Sequence, residues 1–229
     1  GSAFHLPLAR HDDLPALLDR AQAEGYAGLN ITYPCKQAVI PLLDGLSEQA
    51  QAIGAVNTVL FRAGRTWGDN TDSSGWRWGF ERSLPGAALN CVVLLGAGGA
   101  GAAIAQALMV MGVGELRLVD SDNARAQALA SRLNALYRGT RAVASASAAS
   151  ALAGAAGLVH ATPTGMDKLP GMPLPASLLH PGLWVSEIVY FPLDTALLQA
   201  ARARGLRVSD GGHMAVGQAV GAFEQFTGR

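Results

Sequence analysis

Cysteine is nearly absent from this chain of 229 residues, which holds only Cys35 and Cys91. Two thiols make no disulfide framework, and such scarcity fits a reducing compartment. Charge is sparse too, at 15%, and seventeen basic residues balance seventeen acidic ones. No net field therefore favours nucleic acid or an anionic membrane surface. Long apolar runs are missing, because Gly, Arg, Asp or Ser breaks every stretch before the roughly eighteen residues of a membrane span. The opening Gly1-Ser2-Ala3-Phe4-His5 lacks the basic and apolar regions of a secretory signal. Metal-ligand spacing is lacking as well, with no CxxC, no HExxH and five scattered histidines. The expectation is a soluble, cytoplasmic protein that uses no metal, membrane or nucleic acid.

Lysine is the other rarity. Fifteen of the seventeen basic residues are Arg, and the lysines are Lys36 and Lys168. Arg stays charged at any working pH, whereas Lys shifts toward neutrality when its surroundings ask for it. Proton transfer is one reason to use a Lys in such a chain, and chance is the other.

Half of the chain is hydrophobic, enough for a sizeable core and too much for a disordered one. The pattern predicts a strand over 3–9 and a helix over 13–24, N-capped by Asp12 or Asp13 and stopped by Gly25. A buried strand is expected over 28–32 and a helix over 34–44 starting near Pro34. Ser47 should cap a helix over 48–53 ended by Gly54, and strands over 56–61 and 66–69 should flank Ala63-Gly64-Arg65. A helix over 72–82 completes a first domain, residues 1–83, before the break at Leu84-Pro85-Gly86.

Beyond it, strands over 90–95, 115–119, 157–161, 183–189 and 206–208 alternate with helices over 99–111, 122–137 and 193–204. The Ala/Ser stretch over 142–156 reads as a short strand and a surface helix. Such alternation with nearly continuous apolar strands predicts an α/β fold: a doubly wound parallel sheet over 84–209 following a smaller α/β domain. A last amphipathic helix over 214–226, within a third segment 210–229, is expected to cross back to the first domain.

Three concentrations of polar and small residues carry the chemistry. Cys91-Val-Val-Leu-Leu-Gly96-Ala97-Gly98-Gly99-Ala100-Gly101 runs an apolar strand into a GxGxxG turn and a helix. Small residues let the backbone approach a pyrophosphate, which sits on the free N–H groups of the helix start. Asp120 follows Gly101 by 19 residues, the place where a carboxylate bonds both ribose hydroxyls of NAD and repels a 2′-phosphate. No Arg follows Asp120 before Arg125. The expected cofactor is a dinucleotide, NAD in preference to NADP.

Asn30-Ile-Thr32-Tyr-Pro34-Cys-Lys36 forms the second concentration. A helix from Pro34 would place Lys36 in its first turn, where the positive dipole end disfavours the ammonium form. Lys36 is then a general acid or base near neutral pH, or a solvated surface Lys. Gly68-Asp69-Asn70-Thr71-Asp72-Ser73 is the third, where Asp72 reads as an N-cap whose other oxygen remains available to a ligand. Asn57 lies in a helix-to-strand turn that by itself reads as structural. His213 reads as an acid or base, or as a loop residue satisfied by backbone. Cys35 reads as a small packing residue or, beside Lys36, as a nucleophile.

These segments together resemble the shikimate/quinate dehydrogenase family. The pieces are NITYPCK (30–36), GAVNT (54–58), GDNTD (68–72), GAGGAG (96–101), ATPTGM (161–166), EIVYFPLDT (187–195) and DGGHMAVGQAVGAFEQFTG (210–228). They occur in family order and nearly span the chain. The resemblance implies a substrate domain, a nucleotide domain and a C-terminal helix returning to the first. It implies Lys36 and Asp72 as the catalytic pair, and Thr32, Asn57, Tyr190 and Gln218 as further substrate-binding residues. Gly96, Ala97, Gly98, Gly99, Ala100, Asp120, Thr162, Ile188 and Gly211 match positions around the cofactor. The implied reaction is hydride transfer between NAD(P) and the alcohol or ketone of shikimate and 3-dehydroshikimate, and of quinate. Aminoshikimate or another polyol acid, or nucleotide binding without turnover, are the alternatives. The partner is a small molecule, and the chain is a monomer or homodimer.

Three departures stand out. The family's first strand and its Ser-x-Ser-type loop for the substrate carboxylate find no match, so the chain is expected to lack that segment and to begin with a cloning remnant, Gly1-Ser2. Asp120 replaces the Asn-Arg-Thr run of NADP-using members. His160 replaces the Asn common before Ala-Thr-Pro.

Overall fold

The computed structural model describes residues 13–139 and 141–228, so the expected strand over 3–9 and the cap at Asp12 lie outside the described residues. Two compact units emerge: the first runs up to Asn70 and takes in Ala222 onward, and the second is Thr71–Gly221.

In the first unit, α1 (Leu14–Ala23) starts after Asp13 and buries Leu14, Leu18 and Ala21 on one face. Gly25, at φ 77°, ends it in the left-handed region that glycine occupies without penalty. Strand β1 (Gly28–Asn30) follows. The helix expected over 34–44 does not form. That segment is a series of turns, with Cys35 N–H bonded to Thr32 O at 2.9 Å and Val39 N–H to Cys35 O at 3.0 Å, ending in a 3₁₀ turn over Ile40–Leu42. Pro41, inside the expected helix, lacks the N–H donor of a regular ladder, and Val39 and Ile40 are β-branched, so turns win over helix.

Strand β2 (Gly45–Leu46) is two residues long and escaped the periodicity reading. Helix α2 (Glu48–Ile53) has the expected cap, with Ser47 Oγ accepting from Ala50 N–H at 3.0 Å, and ends at Gly54, φ 69°. Strands β3 (Thr58–Arg62) and β4 (Arg65–Asp69) form a hairpin whose turn residues Ala63 and Gly64 both have positive φ, 51° and 75°. Such a primed turn matches the right-handed twist of the strands. The sheet order is β1-β3-β4-β2, antiparallel except for β2 beside β4. Leu14, Leu18, Ile31, Cys35, Val39, Val56 and Val59 are among the residues that fill its core.

The second unit begins with α3 (Asp72–Ser83), which the sequence had placed before the break at Leu84. Its aromatic face explains the grouping. Trp76 Nε1–H donates to Ser186 Oγ at 3.1 Å, and Phe80 meets Trp184 edge-on at 4.9 Å. Then come β5 (Cys91–Leu95), α4 (Gly99–Val110), β6 (Glu115–Val119), α5 (Asn123–Leu136), β7 (Arg141–Ala144), α6 (Ala148–Leu152), β8 (Gly157–His160), β9 (Trp184–Glu187), α7 (Ala196–Ala203), β10 (Val208–Ser209) and α8 (Gly212–Thr227). The six strands are parallel, in the order β10-β9-β8-β5-β6-β7. This is the expected doubly wound sheet. Strand β5 is buried at all five residues, as a central strand covered on both faces must be. Val93, Leu95, Leu158 and Val185 share a core cluster with Leu152 and with Leu197, Leu198 and Ala201 of α7.

Helix α8 is divided between the units at Gly221/Ala222. Its last turns pack within the first unit: Arg62 Nη2 donates to Gln225 O at 3.2 Å, and Gln225 Nε2 donates to the Asp69 carboxylate. A Cβ on Gly28 would lie 2.5 Å from the Phe226 ring, so β1 and the chain's end touch where only glycine fits.

Candidate functional site

In a doubly wound sheet, ligands bind beyond the carboxyl ends of the strands where the order reverses, here between β5 and β8. The turn after β5 fits that role. Gly96 has φ 98°, and a Cβ there would lie 2.7 Å from Ala161 O. A Cβ on Gly101 would lie 1.9 Å from Gly96 O, so the glycine spacing reflects backbone packed on backbone. Gly98 differs: a Cβ there would meet nothing, and as N-cap of α4 it brings no side-chain acceptor. The start of α4 thus faces open space with no side chain capping it, which suits a pyrophosphate.

Asp120 closes this turn from the end of β6. Its Oδ2 accepts from Ala97 N–H at 2.7 Å and its Oδ1 from Asp122 N–H at 2.8 Å. Arg125 approaches it, with Nη1 at 3.7 Å from Oδ1 on a half-exposed side chain. Arg125 is the first Arg after Asp120 in the chain, and the start of α5 folds it back onto Asp120.

On the other side of β5, Thr162 begins the loop after β8. His160, the last residue of β8, is fully buried at 0% exposure, as is its neighbour in β9, Glu187, at 1%. His160 Nδ1 lies 2.9 and 3.0 Å from the two Glu187 oxygens, and Nε2 is hydrogen-bonded to Thr162 Oγ1. Glu187 Oε1 also accepts from Ile188 N–H at 2.8 Å and Val189 N–H at 3.0 Å, and Oε2 from Thr195 Oγ1 at 3.1 Å. Sequence reasoning missed Glu187. The available signal was a charged residue closing an otherwise apolar strand. Gly211 packs directly on this segment, since a Cβ there would lie 2.4 Å from Ile188 O. Tyr190 follows as an exposed side chain.

Asp72 and Gln218 both belong to the second unit. Thr71, not Asp72, occupies the N-cap of α3, and Asp72 is the first helical residue, buried at 3% exposure. That corrects the reading of Asp72 as the cap. Thr71 Oγ1 donates to Gln218 O at 2.9 Å, and a Cβ on Gly75 would lie 2.5 Å from Gln218 N, so α3 and α8 cross in backbone contact.

Thr32, Lys36 and Asn57 belong to the first unit, where backbone bonds gather them. Cys35 N–H donates to Thr32 O at 2.9 Å, Val56 N–H to Lys36 O at 2.7 Å, and Ile31 N–H to Asn57 O at 2.7 Å. Thr32 is exposed, Lys36 half-buried and Asn57 buried. Because no helix starts at Pro34, the dipole argument for Lys36 falls away. Asn70, not singled out beforehand, is buried beside them, with Nδ2 donating to Ala55 O at 3.0 Å.

The other sequence candidates sort out locally. Cys35 is 6% exposed in the first unit's core, and burial pushes its thiol up, against nucleophilic use. His213 lies in the first turn of α8 rather than in a loop, its Nδ1 3.8 Å from Asp210 Oδ1. Among the described residues there is no group of three or more His, Cys, Asp or Glu side chains placed to hold a metal ion. No described helix is long and apolar enough to cross a membrane.

Comparison with known proteins bears on both units. Residues 2–59 match the shikimate dehydrogenase substrate binding domain, and residues 88–151 match the ThiF family. The chain is 56% identical to the shikimate dehydrogenase (NADP(+)) of Streptomyces avermitilis, over 93% of this chain and 74% of that one. It is 50% identical to the quinate/shikimate dehydrogenase (NAD(+)) of Corynebacterium efficiens, over 96% and 78%. Among solved structures, the quinate dehydrogenase from Corynebacterium glutamicum in complex with NAD superposes with a TM-score of 0.85 at 49% identity, covering 95% of this chain and 78% of that one.

Proposed function

From the premise that this chain belongs to the shikimate/quinate dehydrogenase family of oxidoreductases, we propose that it oxidises shikimate, and quinate to a lesser degree, reversibly and with NAD. The observation that carries the cofactor preference is Asp120, its carboxylate bonded to the N–H of Ala97 inside the glycine turn. A carboxylate there accepts ribose hydroxyls and repels a 2′-phosphate.

The residues fit a dinucleotide. The Gly96–Ala100 turn and the start of α4 would hold the pyrophosphate, and Asp120 the adenosine ribose. Thr162, Ile188 and Gly211 would border the nicotinamide half. When bound, the dinucleotide supplies the ring carbon that accepts the hydride. The remaining work falls to side chains. Thr32, Asn57, Tyr190 and Gln218 would hold the hydroxyls and ring of the acid. Asp72 would orient the reacting hydroxyl. Lys36 would take the hydroxyl proton as the C–H bond breaks, and return it when the ketone is reduced. The half-buried setting of Lys36 supports that role.

Arg125 favours a second reading. A half-exposed guanidinium 3.7 Å from the Asp120 carboxylate offers a 2′-phosphate a positive partner, and turnover would then proceed with NADP as well.

Initial rates with shikimate and with quinate, each with NAD and with NADP, test the proposal. Turnover should be highest with shikimate and NAD, and Lys36→Ala should lower kcat by roughly 10²- to 10⁴-fold. NADP matching or exceeding NAD in kcat/KM would overturn the cofactor preference. Near-normal turnover by the Lys36 variant would remove Lys36 from the chemistry.

A further inference from the structure

A buried pair of polar side chains is a poor way to stabilise a fold, because desolvating both groups costs about as much as their attraction returns. His160 and Glu187 are such a pair, at 0% and 1% exposure, with ring nitrogen and carboxylate 2.9 Å apart. They are register partners on adjacent parallel strands, and His160 also pairs with Leu95, the residue before Gly96. An apolar pair would fill the same space more cheaply, so their position beside the dinucleotide turn calls for another reason.

The hydrogen bonds supply it. Glu187 receives only donors: Ile188 N–H, Val189 N–H, Thr195 Oγ1 and His160 Nδ1. That set suits a carboxylate, which accepts at both oxygens. With Nδ1 committed to the carboxylate, Nε2 is left to pair with the Thr162 hydroxyl. Thr164 N–H donates to the same oxygen at 3.3 Å. Holding the hydroxyl at His160 fixes the Thr162 rotamer. Its methyl Cγ2 then sits where a Cβ on Gly96 would come within 3.1 Å of it, against the first glycine of the turn.

We propose that His160, clamped by Glu187, is a positioning residue for the dinucleotide: it holds the Thr162 hydroxyl so that the Thr162 methyl seats against Gly96 and sets the floor of the glycine turn. The inference rests on the dehydrogenase reading above. It assigns His160 and Glu187 no contact with substrate and no proton transfer.

A double-mutant cycle read by equilibrium titration of NAD, followed by tryptophan fluorescence without substrate, tests it. Asn at 160 keeps a donor toward Glu187 but stops short of Thr162, and Val at 162 keeps the branched shape without the hydroxyl. His160→Asn and Thr162→Val should each weaken NAD binding about five- to tenfold, the loss of one buried hydrogen bond. The double variant should be no weaker than either single one, because both remove the same interaction. In steady state the KM for NAD of His160→Asn should rise, while its kcat at saturation stays within about threefold of the parent. Multiplying losses in the double variant, or unchanged binding by both single variants, would overturn the proposal. If His160→Asn does not fold, Thr162→Val alone decides by the same titration, and unchanged binding overturns it. A parent chain that binds neither NAD nor NADP overturns the dehydrogenase reading itself, before any variant is compared.

Discussion

Cys35 and Lys36 stand side by side, and the fold treats them oppositely. Cys35 points into the core with Leu14, Val39 and Val59, while Lys36 stays half-buried. Burial lifts the Cys35 thiol above its ordinary value of 9.0, so the thiolate that an alkylating agent needs is scarce near neutrality. At pH 8 the native chain should react with iodoacetamide at Cys35 at least about tenfold more slowly than the chain in urea. Equal rates, read by mass spectrometry of the Cys35 peptide, would return Cys35 to the list of nucleophiles. The proposal for Lys36 rests on the rarity of lysine and on the NITYPCK motif, and no longer on helix geometry. The helix-start argument failed because Pro41 and two β-branched residues broke the ladder that it assumed. Asp72 shows a milder slip of the same kind. The helix start was legible, but whether Thr71 or Asp72 takes the cap depends on one residue's backbone angles.

At the scale of elements, the crossing of α3 and α8 brings Thr71 and Gln218 together. Gly75 and Gly217 permit it: a Cβ on Gly217 would lie 2.8 Å from Gly75 Cα, and one on Gly75 would lie 2.5 Å from Gln218 N. Backbone, unlike a flexible side chain, has no rotamer into which to retreat. Gly75→Ala should therefore push the helices apart, costing about 1–3 kcal/mol of stability by urea unfolding. The KM for shikimate should rise with it, as Gln218 moves relative to Asp72. An alanine variant with parental stability would mean that the crossing is looser than these distances state. Local elements with strong punctuation were legible beforehand, such as the Ser47-capped helix, the hairpin around Ala63-Gly64 and the glycine turn after β5. Strand β2 was not, since two residues carry no period. It forms because Gly45 and Leu46 find Trp67 and Gly68 in β4 as partners.

For the molecule as a whole, the proposal assigns the dinucleotide to the second unit and the groups around Lys36 in the first to the acid. Amide exchange followed by mass spectrometry should reflect that division. NAD alone should slow exchange in peptides covering 96–101, 120–122 and 162–164, by an amount set by how far its concentration exceeds Kd. Peptides covering 31–36 and 56–58 should respond to added shikimate. Protection of the second set by NAD alone would move the dinucleotide assignment. The sequence by itself determined the parallel sheet, the glycine turn with Asp120 and the family, because these are written in contiguous runs whose spacing has local physical meaning. Tertiary structure alone decided that α3 joins the second unit, since Trp76 and Phe80 find partners in Ser186 and Trp184 more than 100 residues away. It likewise decided that Arg125 reaches Asp120 and that Glu187 clamps His160. Those pairings arise from neighbouring strands and helix starts in space, and no spacing along the chain encodes them.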